Sequence, residues 1–209
     1  MKYETSSQVP PSEGFREADY ILEDERALLR PLKAADDKYL QEFSLNEPEL
    51  WQYSPIGGSA AGEGNLKKYM DAALLARENN TQYPFIVFDK LKNEYAGSTR
   101  YYDIQPIHKI LYIGYTWYGK RFQGTGLNKH CKFLLLQFAF EKMAMERVAF
   151  EADNTNERSI AAMKSIGCVA EGILRSNKTM ENRRRDTIVL SILKDEWFDH
   201  VKESLKKKL

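Results

Sequence analysis

Cysteine, histidine and long apolar runs are all scarce in this sequence, and each scarcity excludes a class of protein. The 209 residues include two cysteines, Cys131 and Cys168, which form no Cys-x-x-Cys pair, so neither a disulfide framework nor a zinc site is indicated. The three histidines share no metal-ligand spacing, and we expect no metal. No apolar run reaches the ~18 residues of a membrane-spanning helix, and the N-terminus lacks a signal peptide's apolar core. We therefore expect a cytoplasmic protein with reduced thiols.

The charge balance also limits the partners. The chain has 31 basic and 30 acidic residues, for a net charge of +1, which argues against nucleic acid or an anionic membrane as the main partner. The hydrophobic content of 43% is typical of a globular protein. Residues 1–20 are polar and carry two prolines, so we expect an N-terminal arm there. Residues 21–209 are long enough for one domain with its own core, as a monomer or homodimer.

The hydrophobic periodicity predicts an α+β fold with a mixed sheet. Three aromatic or β-branched runs near the middle of the chain, separated by polar breaks, favour an antiparallel meander. Asn65 is predicted to cap the second helix. The predicted strands cover residues 21–32, 83–88, 95–104, 109–118, 147–152, 169–175 and 187–193, and the predicted helices cover residues 34–43, 66–79, about 126–145, 156–166 and 195–206.

A glycine-spaced turn follows the strand at residues 109–118 and leads into a long apolar helix. This strand–turn–helix order directs several backbone N–H groups toward an anion. Gly124 and Gly126 allow a positive φ and a close approach of the ligand to the backbone. The Arg121 guanidinium can donate two charge-assisted hydrogen bonds to a phosphate. The turn therefore predicts a diphosphate site.

Three motifs follow one another along the chain: Arg121-x-x-Gly124-x-Gly126 after a strand, the segment 150–167 with its Asn-x-x-Ser and Lys-Ser-Ile-Gly elements, and the segment 185–197. Together they resemble the GNAT superfamily of N-acetyltransferases, and in particular its ribosomal-protein N-terminal (alanine/serine) acetyltransferase branch. The resemblance spans roughly residues 27–197. It implies a mixed, mostly antiparallel sheet of about six or seven strands flanked by helices, with acetyl-CoA wedged between two splayed parallel strands, residues 111–118 and 147–152.

The resemblance also implies a set of coenzyme-binding residues. Asn156 and Ser159 have an alternative role in capping their helix, and Lys164 has an alternative role as a solvated helix residue. The predicted coenzyme contacts are Trp117, Tyr118, Arg121, Phe122, Gln123, Gly124, Thr125, Gly126, Asn128, Asn156, Ser159 and Lys164.

Acetyl transfer needs an amine that has lost a proton and a leaving thiolate that is stabilised. Glu151, at the end of a strand bordering the splay, is the candidate base, with a solvated outer-face glutamate as the alternative. Many relatives have a tyrosine that can protonate the leaving thiolate at the position where this chain has Met163. The resemblance therefore does not say which residue is the general acid. Tyr118 is a candidate acid, although its hydroxyl can also be purely structural.

We therefore expect an acetyl-CoA-dependent N-acetyltransferase that acts on a primary amine, a protein N-terminus or a small molecule, by direct attack in a ternary complex. No cysteine suits an acyl-enzyme at the predicted centre. The alternative is a catalytically silent coenzyme-binding module with a sensing or scaffolding role. A nucleotide-phosphate enzyme is disfavoured, since the Lys-Ser/Thr ending of a Walker motif is absent. The acceptor cleft is predicted between residues 47–64 and 177–185.

Overall fold

The computed structural model describes residues 18–209, so most of the arm predicted over residues 1–20 lies outside the described residues. The three described residues of that segment contact the domain: the Tyr83 hydroxyl donates to the Ala18 carbonyl (2.8 Å) and accepts from the Tyr20 N–H (2.9 Å). Among residues 18–209, no helix has both the length and the apolar character that crossing a bilayer requires.

Eight strands form one sheet in the order β1-β2-β3-β4-β5-β6-β8-β7. They are β1 (Leu22–Glu23), β2 (Ala27–Pro31), β3 (Gln82–Asp89), β4 (Glu94–Gln105), β5 (Ile110–Tyr118), β6 (Arg147–Asp153), β7 (Val169–Thr179) and β8 (Arg184–Leu193). Every neighbouring pair is antiparallel except β5 and β6. The α+β prediction is confirmed. One more strand is present than predicted, because Asp24 accepts hydrogen bonds from the N–H groups of Arg26 and Ala27 and so turns the first predicted strand back on itself.

Six α-helices and several shorter helical turns flank the sheet in the described part of the chain. The α-helices are α1 (Asp37–Asn46), α2 (Asn65–Glu78), α3 (Leu127–Gln137), α4 (Glu157–Ser165), α5 (Lys194–Glu196) and α6 (Lys202–Lys206). Short 3-10 turns cover Ala34–Asp36, Pro48–Trp51 and Lys120–Phe122, and π-helical turns cover Phe138–Lys142 and Trp197–Val201.

The predicted cap of α2 is wrong by one residue. Gly64 is the N-cap, with φ +73°, and Asn65 is the first helical residue. The Asn65 amide Nδ2 donates to the Ala61 carbonyl (2.6 Å) instead of capping the helix. An asparagine can satisfy a loop carbonyl as well as a helix N–H, and the glycine takes the left-handed position that a side chain would strain.

The core lies where α3 packs against the sheet. Seven consecutive residues of α3, 130–136, are all buried, because the helix contacts β1 and β2 on one side and α6 on the other. A helix enclosed on nearly all sides needs apolar side chains, which explains the Phe-Leu-Leu-Leu sequence of residues 133–136, while His130 and Lys132 are polar exceptions. Since α3 starts at the glycine turn, this packing fixes the turn relative to β5.

Candidate active site

The parallel strands β5 and β6 separate after a short paired stretch. Their register covers three pairs, Ile110 with Arg147, Leu111 with Val148 and Tyr112 with Ala149. Beyond these pairs the two strands run apart to their C-terminal ends, Tyr118 and Asp153. The backbone groups that face the gap are free to bind a ligand that lies along them. The predicted splayed pair is confirmed.

A bulge in β5 lies at the point where the splay opens. Ser98 pairs with Trp117 and Arg100 pairs with Gly114, so β5 has one residue more than β4 over this interval. Tyr115, inside that interval, has φ +49°, an uncommon value for a residue with a side chain. Bulges bend a strand and are frequent next to active sites. This bulge ends the regular β5 edge beside the gap.

The glycine turn has the conformation and the open space that a diphosphate needs. Gly124 has φ +74° and Gly126, the N-cap of α3, has φ +90°. A Cβ at either position would meet no protein atom within 4 Å, so the space in front of both glycines is open. The first N–H groups of α3 have no partner inside the helix and lie at its positive dipole end. The turn fits an anion held by backbone N–H groups.

A cavity of about 810 Å³ joins the glycine turn to the splay. The C-terminal end of β5, the second half of β6 and the start of α4 all border this one volume. Most of the residues that the sequence predicts for the site therefore lie together. Those that line the cavity are Trp117, Tyr118, Phe122, Gln123, Gly124, Gly126, Asn128, Glu151, Asn156 and Ser159.

Asn156 is the N-cap of α4. Its Oδ1 accepts a hydrogen bond from the Ser159 N–H (3.1 Å), which satisfies one of the unpaired donors at the helix start. The capping role is therefore confirmed. Because both residues also line the cavity, their contact with the coenzyme is compatible with the cap and stays a prediction.

Three of the predicted coenzyme contacts do not line the cavity. Arg121 donates to Glu94 (2.6 Å) and lies over the rings of Phe43 and Phe122, and its contact with the coenzyme stays a prediction. The Thr125 hydroxyl donates to the Phe122 carbonyl (2.7 Å) and tightens the turn. Lys164 is exposed on α4, as its alternative role required.

Three polar side chains surround the glycine turn, of which only Asn128 is predicted from the sequence. Arg158, on α4, lines the cavity and donates to the Gln123 side chain (2.5 Å). Lys129 lines the cavity from the first turn of α3. A cation at the positive end of the helix dipole is unfavourable, and a bound anion would offset this cost. The Asn128 Oδ1 is buried and has no hydrogen-bond partner among residues 18–209. Arg158 and Lys129 therefore bring positive charge to the cavity beside the glycine turn.

Glu151 lies at the opposite end of the cavity, just beyond the last β5–β6 pair. Its side chain is 15% exposed, and its Oε2 accepts from the Lys178 ammonium (2.5 Å). Arg185 and Tyr102 also line this end of the cavity. Burial lowers the pKa of Arg185 and, as the largest of several causes, raises the pKa of Tyr102 well above its usual value. Glu151 is therefore a largely buried carboxylate held by a neighbouring cation.

The two residues considered for the acid role face different surroundings. Met163 lines the cavity and offers no proton. The Tyr118 hydroxyl is buried beside the Cys131 thiol, and burial raises the pKa of Tyr118 well above its usual value. A phenol that is enclosed in this way is poorly placed to protonate a leaving group in the cavity, and Tyr118 as the acid stays a prediction.

The two segments predicted to form the acceptor cleft do meet. The Ile56 N–H donates to the Thr179 carbonyl (3.0 Å), and the Arg185 guanidinium donates to the Tyr53 carbonyl (3.3 Å). A second cavity of about 480 Å³ lies between them. It shares Trp51, Gln52, Ser54 and Pro55 with the larger cavity, so the two form one groove.

The arginines of the β7–β8 hairpin are engaged within the chain. Arg183 pairs with the buried Asp153, and Arg184 donates to the Ser176 side chain (3.1 Å). Arg185 donates to the Thr187 hydroxyl (3.0 Å). These contacts orient the hairpin over the end of β6 and so shape the acceptor side of the groove.

One group of possible metal ligands lies away from this groove, at Asp24, Glu25 and His130. The His130 Nδ1 lies 2.8 Å from Asp24 Oδ2, and the other Asp24 oxygen accepts from the N–H groups that turn β1 into β2. These contacts account for the carboxylate and the imidazole as parts of the fold, and we assign no metal to them.

Comparison with known proteins gives a consistent result. A family model described as an acetyltransferase (GNAT) domain matches residues 26–169. A crystal structure of an acetyltransferase from T. thermophilus, provisionally so named, is 31% identical with a TM-score of 0.79, and the match covers 92% of this chain and 98% of that one. The provisionally named ribosomal N-acetyltransferase YdaF of Bacillus subtilis (strain 168) is 32% identical over 102 residues, 49% of this chain and 55% of YdaF.

A more distant structure adds a similarity of fold. RimL, a ribosomal L7/L12 alpha-N-protein acetyltransferase in complex with coenzyme A, is 20% identical with a TM-score of 0.74. The match covers 85% of this chain and 99% of RimL. The match to YdaF covers only about half of that protein's length, so the activity of YdaF as a whole is not transferred to this chain.

Proposed function

Because this chain belongs to the GNAT acetyltransferase family, we propose that it transfers an acetyl group from acetyl-CoA to a primary amine by direct attack in a ternary complex. The observation that carries the proposal is one cavity that contains both the glycine turn and Glu151, with the splayed strands between them. The turn would hold the diphosphate, and the splay would hold the pantetheine arm. When bound, acetyl-CoA supplies the reactive thioester.

The shape of the groove favours the N-terminus of a polypeptide as the acceptor. The smaller cavity continues the larger one past Trp51, so a substrate can extend well beyond its reacting amine. An α-amino group has a pKa of about 8, lower than the ~10.4 of a lysine side chain, and loses its proton more readily near neutral pH. The names of YdaF and RimL, which both refer to the ribosome, support a ribosomal protein as this acceptor.

Glu151 is proposed as the base that removes the amine's proton. Lys178 holds its Oε2, so the carboxylate has a fixed orientation. Within residues 18–209 no side chain donates to Oε1, which leaves this oxygen for the amine or for a bridging water. Lys178 is then a positioning residue, since it acts through the carboxylate.

Thiol release from acetyl-CoA tests the function, with peptide N-termini, polyamines and aminoglycosides as the acceptor panel. Glu151→Gln is expected to lower turnover by about 100-fold, most severely at low pH, because positioned bases typically contribute that much. Coenzyme affinity is expected to stay unchanged. The matched control is Glu78→Gln, at an exposed position at the end of α2. Wild-type turnover in the Glu151 variant at every pH would remove it from the base role, and no thiol release with any acceptor would reject the proposed function.

A further inference from the structure

A lysine is buried in the wall of the coenzyme cavity. Lys132, on α3, is 5% exposed and lines that cavity. Its ammonium donates to the Thr116 hydroxyl (2.8 Å) on β5 and lies 5.8 Å from the centre of the Phe150 ring on β6. Both contacts are beyond the paired part of the strands, so the ammonium reaches the gap of the splay.

This cation has no anionic partner. Among residues 18–209 no carboxylate forms an ion pair with Lys132, and the titratable groups that act on it are the thiols of Cys131 and Cys168. Burial raises the pKa of each thiol to about 12, so both are neutral at pH 7. Burial also lowers the pKa of Lys132 to about 8. A buried, unpaired ammonium is costly and needs an explanation.

The donors of Lys132 are only partly used. An ammonium carries three N–H donors, and within the described residues Lys132 donates one hydrogen bond, to Thr116. The Thr116 hydroxyl also lies 2.7 Å from the Thr99 hydroxyl, which fixes the position of Thr116 on β5. At least one N–H of Lys132 therefore remains for a ligand in the gap.

We propose that Lys132 is the proton donor to the coenzyme sulfur, in the role that Met163 cannot fill. The inference rests on the proposed acetyl transfer. As the acceptor nitrogen forms its bond to the acetyl carbon, the carbon–sulfur bond breaks and its electron pair goes to sulfur. Lys132 gives its proton to that sulfur, while Glu151 takes the proton of the amine. Solvent then returns a proton to Lys132 and removes one from Glu151, so the cycle balances.

The sharpest test follows the thiol of bound coenzyme A without any acceptor. Thiolate absorbance is titrated in the binary complex, with the unliganded protein subtracted, for wild type, Lys132→Met and Lys132→Arg. A cation near a thiolate favours the charged form, and the thiolate in turn keeps Lys132 protonated, so we expect the bound thiol to titrate about 1 pH unit lower in wild type than in Lys132→Met. Lys132→Arg keeps the charge and should keep the lower value. Identical titrations in wild type and Lys132→Met would overturn the proposal.

Turnover provides a second and independent readout. The wild-type kcat is expected to fall as pH rises through about 8, where Lys132 loses its proton. Lys132→Met should lower kcat by about 100-fold and remove that alkaline limb. Lys68→Met, at an exposed position of α2, is the control for the loss of one positive charge and should behave as wild type.

The outcomes separate the two proposals. A shifted bound thiol without acetyl transfer would reject the proposed function and keep Lys132 as the group beside the sulfur. Transfer with an unshifted thiol and an unchanged alkaline limb would reject Lys132 alone. An acetyl group found on Lys132 by mass spectrometry would show that its nitrogen attacks the carbonyl, and would overturn its role as the proton donor. A protein that does not bind the coenzyme would contradict both proposals.

Discussion

Replacing Lys132 with methionine is expected to stabilise the unliganded protein. The substitution keeps a long, unbranched side chain in a site that is 5% exposed and removes a charge that no carboxylate balances among residues 18–209. It leaves no orphaned partner, because the Thr116 hydroxyl still has the Thr99 hydroxyl at 2.7 Å. The usual cost of removing a buried hydrogen-bond donor is therefore small here.

The size of the effect follows from the pKa of Lys132. Burial lowers this pKa from 10.5 to about 8. At ~1.4 kcal/mol for each pKa unit, keeping the ammonium charged in the folded state costs on the order of 3 kcal/mol. Since 1 kcal/mol shifts the melting temperature of a domain of this size by roughly 2–4 °C, the variant is expected to melt roughly 6–12 °C above wild type at pH 7.

The pH dependence identifies the charge as the cause. Below pH 8 the lysine is protonated in both the folded and unfolded states, and the full cost is present. Between about 8 and 10.5 the unfolded chain binds more protons than the folded one, so wild-type stability gains relative to the variant as pH rises. Urea unfolding of both proteins at about pH 7, 8, 9 and 10 measures this change directly.

Two results would refute this reasoning. Equal stability of wild type and Lys132→Met at pH 7 would mean that the ammonium is solvated or paired in solution. A stability difference that stays constant up to about pH 10 would mean that packing, and not charge, causes it. Lys68→Met should change stability by less than about 0.5 kcal/mol, as exposed substitutions usually do.

Two further predictions concern the coenzyme end of the cavity. Gly124→Val should abolish coenzyme binding measured by calorimetry, because φ +74° strains a β-branched residue and the valine side chain fills the open space. The control is Gly172→Val, on the edge strand β7. Unchanged coenzyme affinity in the Gly124 variant would refute the diphosphate turn. Arg158→Ala should weaken coenzyme binding about tenfold. Arg121→Ala should lower the melting temperature and leave coenzyme affinity unchanged, since Arg121 pairs with Glu94. Weaker binding in the Arg121 variant and unchanged binding in the Arg158 variant would identify Arg121 as the phosphate ligand.

Much of the fold is predictable from the sequence because its signals are local. The meander of β3, β4 and β5 follows from aromatic and β-branched runs with polar breaks, and the glycine turn follows from two glycines between a strand and an apolar helix. The structure matches these elements to within a few residues. The hydrophobic periodicity predicts one strand where the structure has β1 and β2, because the turn at Asp24 depends on side-chain hydrogen bonds that composition does not reveal.

The side-chain roles are less predictable because they depend on contacts between distant segments. The spacing of Arg121 to Gly124 indicates a phosphate ligand, whereas the structure shows Arg121 paired with Glu94, 27 residues away. Arg158 lines the cavity because α4 comes close to Gln123, 35 residues away in sequence. Spacing along one turn cannot show which of two arginines a remote carboxylate will take.

Lys132 is the residue of the site that breaks a local rule most clearly. It is a charged residue that directly precedes the apolar stretch of the helix most enclosed by the fold, where methionine or leucine would satisfy both packing and helix propensity. Residues of this kind often serve function at a cost in stability. A purely structural lysine at this site predicts that Lys132→Met changes stability alone, whereas a proton donor predicts that the same variant becomes more stable and turns over more slowly. Opposite signs for the two effects in one protein would therefore be stronger support for the role of Lys132 than either effect by itself.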